Sequence, residues 1–439
     1  MRIAMVGTGY VGLVSAACLS EFGHHVACVD SDTGKISDLN AGRVPIFEPG
    51  LEEMIGANVK ARRLSFTSHL AVAVAGAEAI FIAVGTPSRR GDGHADLSFV
   101  FAAAEEIARS VDRHAMIVTK STVPVGTSRE VEKIVRRIRP ELAFDFASNP
   151  EFLREGSAIE DFLRPDRVVV GCDTETARSV LKEVYRPLYL NETPILFTGR
   201  ETAELIKYAA NAFLATKITF INEIADLCEK LGGDVQDVAR GIGLDGRIGP
   251  KFLHAGPGFG GSCFPKDTVA LLRTSQEAGA PTRIVETVVA VNESRKREMT
   301  SRIVAAFGGV AGKTLAVLGL TFKPNTDDMR EAPSLVIIPA LRAEGAQIRA
   351  YDPEGAREAA RLLDLEVCSD AYEAISGADG VVILTEWNEF RALDLTRMKT
   401  LLKRPLMVDL RNIYRPQQMA EAGFDYFSVG RPPDRGRAT

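Results

Sequence analysis

Short runs of apolar residues, each followed by a turn, recur through the first half of the chain. The runs occupy residues 2–6, 25–29, 79–84, 115–119 and 167–171. Segments whose apolar residues recur at helical spacing separate them. Strands that alternate with helices are typical of a parallel sheet that is covered on both faces. The pattern therefore predicts a doubly wound α/β domain over residues 1–196.

A continuous helical pattern begins at residue 200. Residues 200–231 contain no proline or glycine, and Gly232-Gly233 marks the expected end of the helix. A helix of about 30 residues spans roughly 45 Å, which is long enough to join two domains. Its apolar faces exceed what one domain needs to bury. We therefore expect residues 197–300 to form a central helical dimerisation domain.

The alternation of strands and helices resumes at Lys313. Four apolar runs, TLAVLGL, AQIRAYD, GVVILT and PLMVDL, predict four more parallel strands. We expect them to belong to a C-terminal α/β domain over residues 301–439. The predicted fold class is thus two α/β domains that are joined by a long central helix.

Composition excludes several classes of protein. Lys and Arg total 53 and Asp and Glu total 58, and a formal net charge of −5 lacks the basic footprint of a nucleic-acid binder. The six cysteines include no CxxC pair, which predicts neither a zinc site nor a disulfide framework and fits a reducing cytosol. No signal-peptide pattern and no stretch of membrane-spanning length is present. We expect a cytoplasmic protein with no metal, nucleic acid or membrane as a partner.

A glycine-rich turn, GTGYVG, follows the first predicted strand and precedes a predicted helix. In this context Gly7 permits a tight turn, Gly9 lets a pyrophosphate approach the backbone, and Gly12 lets helix and strand pack closely. The phosphates would lie at the helix N-terminus, where unpaired N–H groups favour anions. The turn predicts a Rossmann domain. Its candidate cofactor-binding residues are Gly7, Gly9, Tyr10, Val11 and Gly12.

Asp30 ends the second predicted strand, 18 residues after Gly12. A carboxylate at this place accepts both ribose hydroxyls and repels a 2′-phosphate, so NAD is predicted over NADP. The alternative is a structural glycine turn with a chance acidic residue. The second half repeats only part of the pattern, because RAYD ends in Asp352 but no GxGxxG precedes it. We expect that half to bind something else or to have lost a cofactor site.

Two threonines follow later strands of the first domain. Thr86 lies in Gly-Thr-Pro, and Thr122 lies in Ser-Thr-Val-Pro. Ligands of such folds bind beyond the carboxyl ends of the strands, so both threonines are candidate cofactor contacts. The alternative, that both are ordinary loop hydroxyls, is equally open.

The segment GFGGSCFPKD, residues 258–267, combines glycines, a cysteine, a cation and an acid. Glycines bring the backbone close to a ligand. A neighbouring cation such as Lys266 favours the thiolate, which makes Cys263 a candidate nucleophile. An isolated cysteine is usually a small buried hydrophobic residue, and this alternative also stays open.

Charged residues in two further segments are candidates for chemistry. Lys207 and Asn211 lie four residues apart and share one face of the predicted long helix. That face is either a binding surface or a solvated stripe. Glu151 and Glu155 lie in NPEFLREG after a predicted strand. They act either as helix caps or as a base and a ligand.

Several long segments resemble the UDP-glucose/GDP-mannose dehydrogenase family, in the family's order and along essentially the whole chain. They are VGTGYVGLVSA, PIFEPGL, AVGTP, STVPVGT, NPEFLREGSAI, ELIKYAANAFLATKITFINEIA, RIGPKFLHAGPGFGGSCFPKD, GLTFKPNTDDMREAPS and DLRNIY. The resemblance implies an N-terminal NAD-binding Rossmann domain, a central dimerisation domain and a C-terminal UDP-sugar-binding Rossmann-like domain. It also implies a homodimer.

The resemblance further implies a four-electron oxidation of an alcohol to an acid, with UDP-glucose as the leading substrate. The family's cysteine adds to the aldehyde as a thiohemiacetal, which a second NAD oxidises to a thioester that water hydrolyses. The residues at catalytic positions are Cys263 as nucleophile, Lys207 and Asn211 at the oxyanion, Asp267 and Thr122 for water and protons, and Glu151 for hydrolysis.

The remaining correspondences concern binding. Positions that contact the cofactor in the family are Val11, Asp30, Lys35, Thr86, Thr122, Glu155, Lys266 and Arg330. Positions that contact the substrate are Glu151, Phe152, Leu153, Arg154, Glu155, Lys207, Asn211, Phe252, Leu253, His254, Ala255, Gly256, Gly260 and Lys323. Arg247 matches an arginine that the family's dimers place in the partner's active site.

Three alternatives compete with this interpretation. A dehydrogenase for GDP-mannose or for a UDP-N-acetylhexosamine shares the motifs. A cysteine-dependent acyl transferase or hydrolase uses Cys263 without redox chemistry, but it leaves the turn at Gly7 and the acid at Asp30 unexplained. A non-catalytic sensor of NAD or of nucleotide sugars binds without turnover, and the complete set of candidate catalytic residues argues against it.

Overall fold

The computed structural model describes residues 1–89, 93–365 and 367–432, which fold as two compact units. The first unit comprises Met1–Ala210 and Arg273–Gly279. The second comprises Asn211–Leu272 and the chain from Ala280 onward. Each unit contains one sheet covered by helices, and a long helix lies between the two sheets in the sequence. The predicted fold class is therefore confirmed.

An eight-stranded sheet forms the centre of the first unit. Its strands are β1 (Arg2–Val6), β2 (His25–Val29), β3 (Leu64–Thr67), β4 (Ala79–Ile82), β5 (Ala115–Thr119), β6 (Phe144–Ser148), β7 (Val168–Cys172) and β8 (Ile195–Thr198). They are ordered β3-β2-β1-β4-β5-β6-β7-β8. The first six follow the strand order of a dinucleotide-binding Rossmann fold, with the reversal between β1 and β4.

One pair of strands departs from the predicted parallel arrangement. β6 and β7 are antiparallel, whereas the other neighbours in this sheet are parallel. The connection between them contains one helix of six residues, α7 (Ala158–Leu163). At about 1.5 Å per residue this helix spans about 9 Å, less than the length of a strand, and β7 starts at the end of the sheet where β6 stops.

The helices of the first unit cover both faces of the sheet. They are α1 (Tyr10–Glu21), α2 (Thr33–Asn40), α3 (Leu51–Lys60), α4 (Leu70–Val74), α5 (Ser98–Ser110), α6 (Thr127–Ile138), α7 (Ala158–Leu163) and α8 (Glu175–Val184), followed by a 3₁₀ turn at Arg186–Asn191. Alternate residues of β1 point to opposite faces: Ile3 and Met5 join one buried cluster, and Ala4 and Val6 join the other. Burial on both faces explains the continuous apolar runs in the sequence.

The predicted long helix is α9 (Arg200–Leu231), which has 32 residues. Its first part belongs to the first unit and its second part, from Asn211, to the second. In the second unit it is followed by α10 (Val235–Gly243), α11 (Phe264–Glu277) and α12 (Arg283–Phe307); the last residues of α11 belong to the first unit. No helix in the described part of the chain combines the length and the apolar character that crossing a bilayer requires.

The second unit contains a five-stranded parallel sheet in the order β10-β9-β11-β12-β13. Its strands are β9 (Thr314–Leu318), β10 (Gln347–Tyr351), β11 (Gly380–Ile383), β12 (Leu406–Asp409) and β13 (Asp425–Ser428). The helices that accompany them are α13 (Ser334–Ala343), α14 (Ala356–Leu363), α15 (Ala371–Ile375), α16 (Asn388–Arg391), α17 (Leu395–Leu401) and α18 (Pro416–Glu421). Four of the strands were predicted.

The fifth strand, β13, was missed. Its sequence DYFS is short and half polar, so it carries no strong apolar signal. It joins the edge of the sheet beside β12, where the Tyr426 hydroxyl donates to the buried carboxylate of Asp409 at 2.7 Å. A contact between residues distant in sequence therefore supports this strand.

The turn after β9 repeats the turn after β1. The N–H of Gly7 donates to Val29 O at 2.8 Å, and the N–H of Gly319 donates to Tyr351 O at 2.8 Å. The carboxylate of Asp352 accepts the Thr321 N–H at 3.0 Å, as Asp30 accepts an N–H from its own glycine turn. Asp352, however, is 1% exposed. The partial sequence repeat is thus a structural repeat, and in the second copy the acid is enclosed.

We expect Asp352→Asn to lower the melting temperature of the protein. Asp352 accepts hydrogen bonds from the N–H groups of Leu320, Thr321 and Gly355 and from Trp387 Nε1. An amide –NH₂ in place of one oxygen would face a donor, and a buried unsatisfied donor costs about 1–3 kcal/mol. Thermal unfolding followed by circular dichroism measures this effect. An unchanged melting temperature would mean that these bonds contribute little to stability.

Candidate active site

The glycine-rich turn connects β1 to α1 next to β4, where the strand order reverses. Gly7 has φ +105°, and a Cβ on it would lie 2.6 Å from Ala83 O. A Cβ on Gly12 would lie 2.0 Å from Gly7 O, whereas a Cβ on Gly9 would meet nothing within 4 Å. Internal packing thus requires Gly7 and Gly12 but not Gly9. Room at Gly9 fits a pyrophosphate that approaches the backbone.

The N-terminus of helix α1 lies at the open space beside Gly9. No side chain caps its first turn, and its N-cap residue is Gly9. Exposed N–H groups at the start of a 12-residue helix attract anions. The turn, the helix and the strand reversal together fit the diphosphate of a dinucleotide.

Asp30 lies at the carboxyl end of β2 beside the same turn, as predicted. Its Oδ2 accepts the N–H of Thr8 at 2.8 Å and the Thr8 hydroxyl at 2.7 Å, and its Oδ1 accepts the N–H of Asp32 at 3.0 Å. Partial burial raises the pKa of Asp30, but these hydrogen bonds and Lys35 outweigh burial and lower the pKa below its usual value. Asp30 is therefore a fixed anion near neutral pH. Thr8, which the sequence argument missed, orients it.

The two threonine segments lie together after β4 and β5. The Thr86 hydroxyl donates to the carbonyl oxygen of Thr122 at 2.9 Å. Thr86 is 8% exposed and Thr122 is half-buried. The carboxyl ends of neighbouring parallel strands bring them to the edge of the sheet that carries Gly9. The ordinary-loop alternative does not describe Thr86, because its hydroxyl ties the two loops to each other.

Tyr10, at the start of α1, belongs to a network around Glu48 that the sequence argument missed. Glu48 is 6% exposed and accepts the Tyr10 hydroxyl. It also accepts the N–H groups of Gly156 at 2.6 Å and Ala158 at 2.7 Å. Glu48 thereby connects the glycine turn to the NPEFLREG segment. Its place in the PIFEPGL motif was the signal that could have identified it.

Glu151 and Lys207 form a buried ion pair. Lys207 Nζ lies 3.0 Å from Glu151 Oε1, and the two side chains are 3% and 4% exposed. Burial raises the pKa of Glu151, but Lys207, the N–H of Leu153 and Lys120 outweigh burial and lower the pKa below its usual value. The solvated-stripe and capping alternatives are therefore wrong for these two residues. Since a buried charge is costly unless it is paired, each residue keeps the other ionised.

The rest of the NPEFLREG segment is more open. Arg154 binds Asp161, with Nη2 2.6 Å from Oδ1, and its side chain is 53% exposed. The Phe152 ring lies 3.6 Å from the guanidinium of Arg167 and 5.4 Å from Lys207 Nζ. Leu153 and Glu155 are half-buried. Arg167 is a further residue that the sequence argument did not identify.

Cys263 immediately precedes α11, which begins at Phe264. It is half-buried, and its carbonyl accepts the N–H of Asp267 at 2.8 Å, as in the first turn of a helix. The positive end of a helix favours a thiolate over a thiol. The alternative of a fully buried cysteine is therefore wrong for this residue.

Asp267 is 1% exposed and organises a polar network beside Cys263 in the sequence. Its Oδ2 accepts Asn211 Nδ2 at 2.6 Å, and its Oδ1 lies 2.7 Å from Lys266 Nζ. Asn211 is itself 6% exposed. Three of the predicted residues are therefore in direct contact within the second unit.

The glycine loop before Cys263 is held by side chains from α9 and α12. Asn222 Oδ1 accepts the N–H of Gly256 at 2.9 Å, and Arg295 Nε donates to Gly256 O at 2.6 Å. Asn292 makes two bonds with the backbone of Phe259, at 2.8 and 3.1 Å. None of these three residues was predicted. Polar residues on apolar helices, the signal that identified Lys207, would have found them.

The same loop packs against the segment that follows β9. A Cβ on Gly260 would lie 2.3 Å from Glu331 O, and a Cβ on Gly261 would lie 2.7 Å from the Phe322 ring. The N–H of Gly261 donates to Arg330 O at 2.8 Å. The contacts bring two separately predicted segments together and explain why both glycines lack a side chain.

The other predicted residues are less enclosed or lack a defined role. Arg330 pairs with Asp328 at 2.8 Å and remains 61% exposed. Arg247 is 89% exposed and pairs with Asp245 at 2.6 Å. The exposed residues also include Lys35 and His254; Val11, Phe252 and Lys323 are half-buried, and Leu253 and Ala255 are buried. In the first unit the predictions converge near the glycine turn and Glu151, and in the second they converge on the Cys263 loop.

A Rossmann sheet with this turn and an acid at the end of β2 defines an NAD-binding dehydrogenase. Comparison with known proteins gives its family. Residues 1–189 match the NAD binding domain, residues 201–294 the central domain and residues 316–416 the UDP binding domain of the UDP-glucose/GDP-mannose dehydrogenase family. The chain belongs to this family.

The similarity to individual proteins extends over nearly the whole chain. A UDP-glucose 6-dehydrogenase of Rhizobium meliloti is 62% identical, with 98% of this chain and 100% of that protein covered. One of Bacillus subtilis is 48% identical, with 99% and 94% covered. Among solved structures, a UDP-glucose dehydrogenase from Pyrobaculum islandicum has a TM-score of 0.90 at 40% identity, with 98% and 97% covered.

We expect Gly12→Ala to affect mainly stability and Gly9→Ala to affect mainly NAD binding. Gly12→Ala forces a carbonyl away from the new Cβ and should lower stability by about 1–3 kcal/mol. Gly9→Ala should leave the melting temperature unchanged but weaken NAD binding about ten-fold or more, because its methyl group occupies the room at the turn. Thermal unfolding and calorimetric titration with NAD measure the two effects. Unchanged NAD affinity in Gly9→Ala would contradict the assigned diphosphate position.

Proposed function

We propose that this enzyme oxidises the C6 alcohol of UDP-glucose to the carboxylate of UDP-glucuronate, with two NAD per sugar. The observation that carries the proposal is the similarity along almost the full chain to two UDP-glucose 6-dehydrogenases, at 62% and 48% identity. Two dehydrogenases that act on other nucleotide sugars, one of them a GDP-mannose dehydrogenase from Pseudomonas aeruginosa at 30% identity, share less of this sequence. A UDP-D-ManNAc dehydrogenase from Pyrococcus horikoshii has a TM-score of 0.86 but is 26% identical.

The residues around the glycine turn fit NAD. Gly9 and the start of α1 hold the diphosphate, and Asp30 accepts the ribose hydroxyls. Thr86, Thr122 and residues of the 151–155 segment contribute further contacts. When bound, NAD supplies a hydride acceptor for each of the two oxidation steps. The further predicted contacts are Lys35, Lys266 and Arg330.

Cys263 provides the covalent step. The alcohol first loses a hydride and a proton to give an aldehyde. The Cys263 thiolate adds to the aldehyde carbon and forms a thiohemiacetal, from which loss of a second hydride and a proton gives a thioester. Water attacks the thioester carbon, the C–S bond breaks, and the carboxylate and the thiolate are released. In sum, one alcohol, one water and two hydride acceptors give one carboxylate, two reduced acceptors and three protons.

The other catalytic residues stabilise the negative charge that develops on oxygen, or position and activate the water. The Lys207 ammonium, with Asn211, stabilises the oxyanions of the addition and hydrolysis steps. Asp267, which Asn211 contacts at 2.6 Å, and Thr122 position the water or carry protons. Glu151, held ionised by Lys207, assists the attack of water as a base. The UDP-sugar contacts are the residues of the 151–155 and 252–256 segments with Gly260 and Lys323.

We assign residues 1–196 to NAD binding, residues 197–300 to dimerisation and residues 301–439 to UDP-sugar binding. A cytoplasmic location is part of the proposal and rests on the cysteine spacing and on the nature of the substrate. So is a homodimer in which Arg247 reaches the partner. Phe213, Phe220 and Leu227 support the dimer, because they recur every seven residues on α9 and are 66%, 48% and 50% exposed.

We expect two NADH for each UDP-glucose consumed, because the alcohol reaches the acid level. Cys263→Ser should stall before the acid is formed, since an ester on serine is a poorer intermediate than a thioester. Absorbance of NADH with chromatography of the sugar nucleotides measures both. Cys368→Ser, a half-buried cysteine in the same unit, serves as the control and should turn over normally.

Two results would change this assignment. One NADH per sugar, or full turnover by Cys263→Ser, would exclude the covalent mechanism. Turnover of GDP-mannose or of a UDP-N-acetylhexosamine in preference to UDP-glucose would keep the dehydrogenase and replace the substrate.

We expect the double variant Phe213→Ser/Phe220→Ser to sediment or elute as a monomer, because it removes the centre of the apolar stripe on α9. Light scattering after size exclusion should give about twice the chain mass of 47.5 kDa for the native protein. Val72→Ser, at a 65% exposed apolar residue of α4, is the control and should stay dimeric. A monomeric native protein would refute the dimer.

A further inference from the structure

Lys120 is a buried cation that the proposed chemistry leaves without a role. It follows β5, two residues before Thr122, and is 2% exposed. Its Nζ donates to Asn149 Oδ1 at 3.2 Å and to the Tyr185 hydroxyl at 3.4 Å, and it lies 5.6 Å from the centre of the Phe162 ring. These three partners are neutral. An ammonium group in such surroundings requires a nearby anion.

The anion that acts on Lys120 is Glu151. Burial lowers the pKa of Lys120 to about 8; attraction by Glu151 opposes this effect, and repulsion by Lys207 adds to it. Lys120 in turn lowers the pKa of Glu151. Asn149 lies two residues before Glu151. Its Nδ2 donates to Val169 O at 2.8 Å, which holds the amide group that Lys120 contacts in one orientation.

We infer that Lys120 is a positioning residue for the proposed oxidation, a second buried cation that keeps the carboxylate of Glu151 ionised and shared between two ammonium groups. The inference rests on the proposed function, in which Glu151 and Lys207 carry the chemistry. It assigns to Lys120 an electrostatic task that acts through Glu151, without contact with the substrate.

The charge count gives the physical reason. Glu151 and Lys207 alone form a neutral pair, and a carboxylate 3.0 Å away would satisfy the lysine that must stabilise an oxyanion. With Lys120 charged, the three side chains Lys120, Glu151 and Lys207 carry two positive charges and one negative charge. One unit of positive charge is then left for an anionic transition state in a buried place, where electrostatic interactions are strong.

The three charged groups Lys120, Glu151 and Lys207 should make the activity depend on pH around pH 8. The titratable groups that face Lys120 are Glu151, Lys207 and Tyr185, and burial raises the pKa of Tyr185, which stays protonated. Loss of the Lys120 proton near pH 8 should lower kcat, because the excess positive charge disappears. Protonation of Glu151 should lower kcat at acid pH.

Lys120→Met tests the inference through the pH profile of kcat with UDP-glucose. We expect kcat to fall about ten-fold at neutral pH with a smaller change in KM. Removing a cation raises the pKa of Glu151, so the acid limb should move up by about one pH unit, and the alkaline inflection near pH 8 should vanish. An unchanged kcat and an unchanged profile would overturn the inference.

Two further variants separate electrostatics from packing. Tyr185→Phe removes a hydrogen bond from the network but keeps the charge, so both limbs of the pH profile should stay in place. If Tyr185→Phe shifts them as much as Lys120→Met does, the role is merely structural. In a Glu151→Gln background, Lys120→Met should lower kcat no further. Additive losses would show that Lys120 does not act through Glu151.

A measurement without turnover distinguishes this inference from the proposed function. In full-length protein labelled with [ε-¹³C]lysine, the resonance that Lys120→Met lacks belongs to Lys120. It should titrate near pH 8, and its pKa should fall in Glu151→Gln because an attractive anion is lost. An ordinary lysine pKa that Glu151→Gln leaves unchanged would overturn the inference even if UDP-glucose is oxidised. Absence of NADH with UDP-glucose, by contrast, would refute the proposed function and leave this titration valid.

Discussion

The parallel pairing of β1, β2, β4 and β5 is the constraint on which the candidate cofactor residues of the first unit depend. Parallel strands that are buried on both faces finish at one edge of the sheet, so the loops after them meet there. Gly9, Asp30, Thr86 and Thr122 each follow a different strand, and the common edge gathers them. The close approach at Gly12, 2.0 Å for an added Cβ, fixes the start of α1 against this edge.

Burial determines the charge states of the chemical groups. Glu151 and Lys207 are almost fully enclosed and keep each other ionised, and Asp267 is held by Asn211 and Lys266 in the other unit. A buried charge persists only where partners replace its water, so these pairs also set the orientation of each side chain. Cys263 differs, because it is half-buried and immediately precedes a helix, which leaves its sulfur partly accessible.

The same local arrangement of a glycine turn and an acidic residue occurs in both sheets, in different surroundings. Gly7 and Gly319 make the same backbone bond, and Asp30 and Asp352 accept bonds from the turn that follows each glycine. In the first copy the carboxylate stays partly exposed beside an open helix end. In the second, Trp387 and Gly355 also bind it, and it becomes part of the core. The difference arises from the residues packed around the acid rather than from the strand itself.

The sequence alone determined most of the strands, the long helix α9, the glycine turn and the chemistry-bearing residue types, because periodicity and local spacing specify these features directly; it missed the short strands β3, β8 and β13. It did not determine that β7 would run antiparallel, that DYFS would become a strand, or that Glu48, Asn222, Asn292 and Arg295 would hold the loops in place. Nor did it reveal the buried ion pair between Glu151 and Lys207, or the contact of the buried Lys120 with Asn149. Those contacts join residues that are tens of positions apart, and only the packing of the folded chain decides which distant side chains share a buried place.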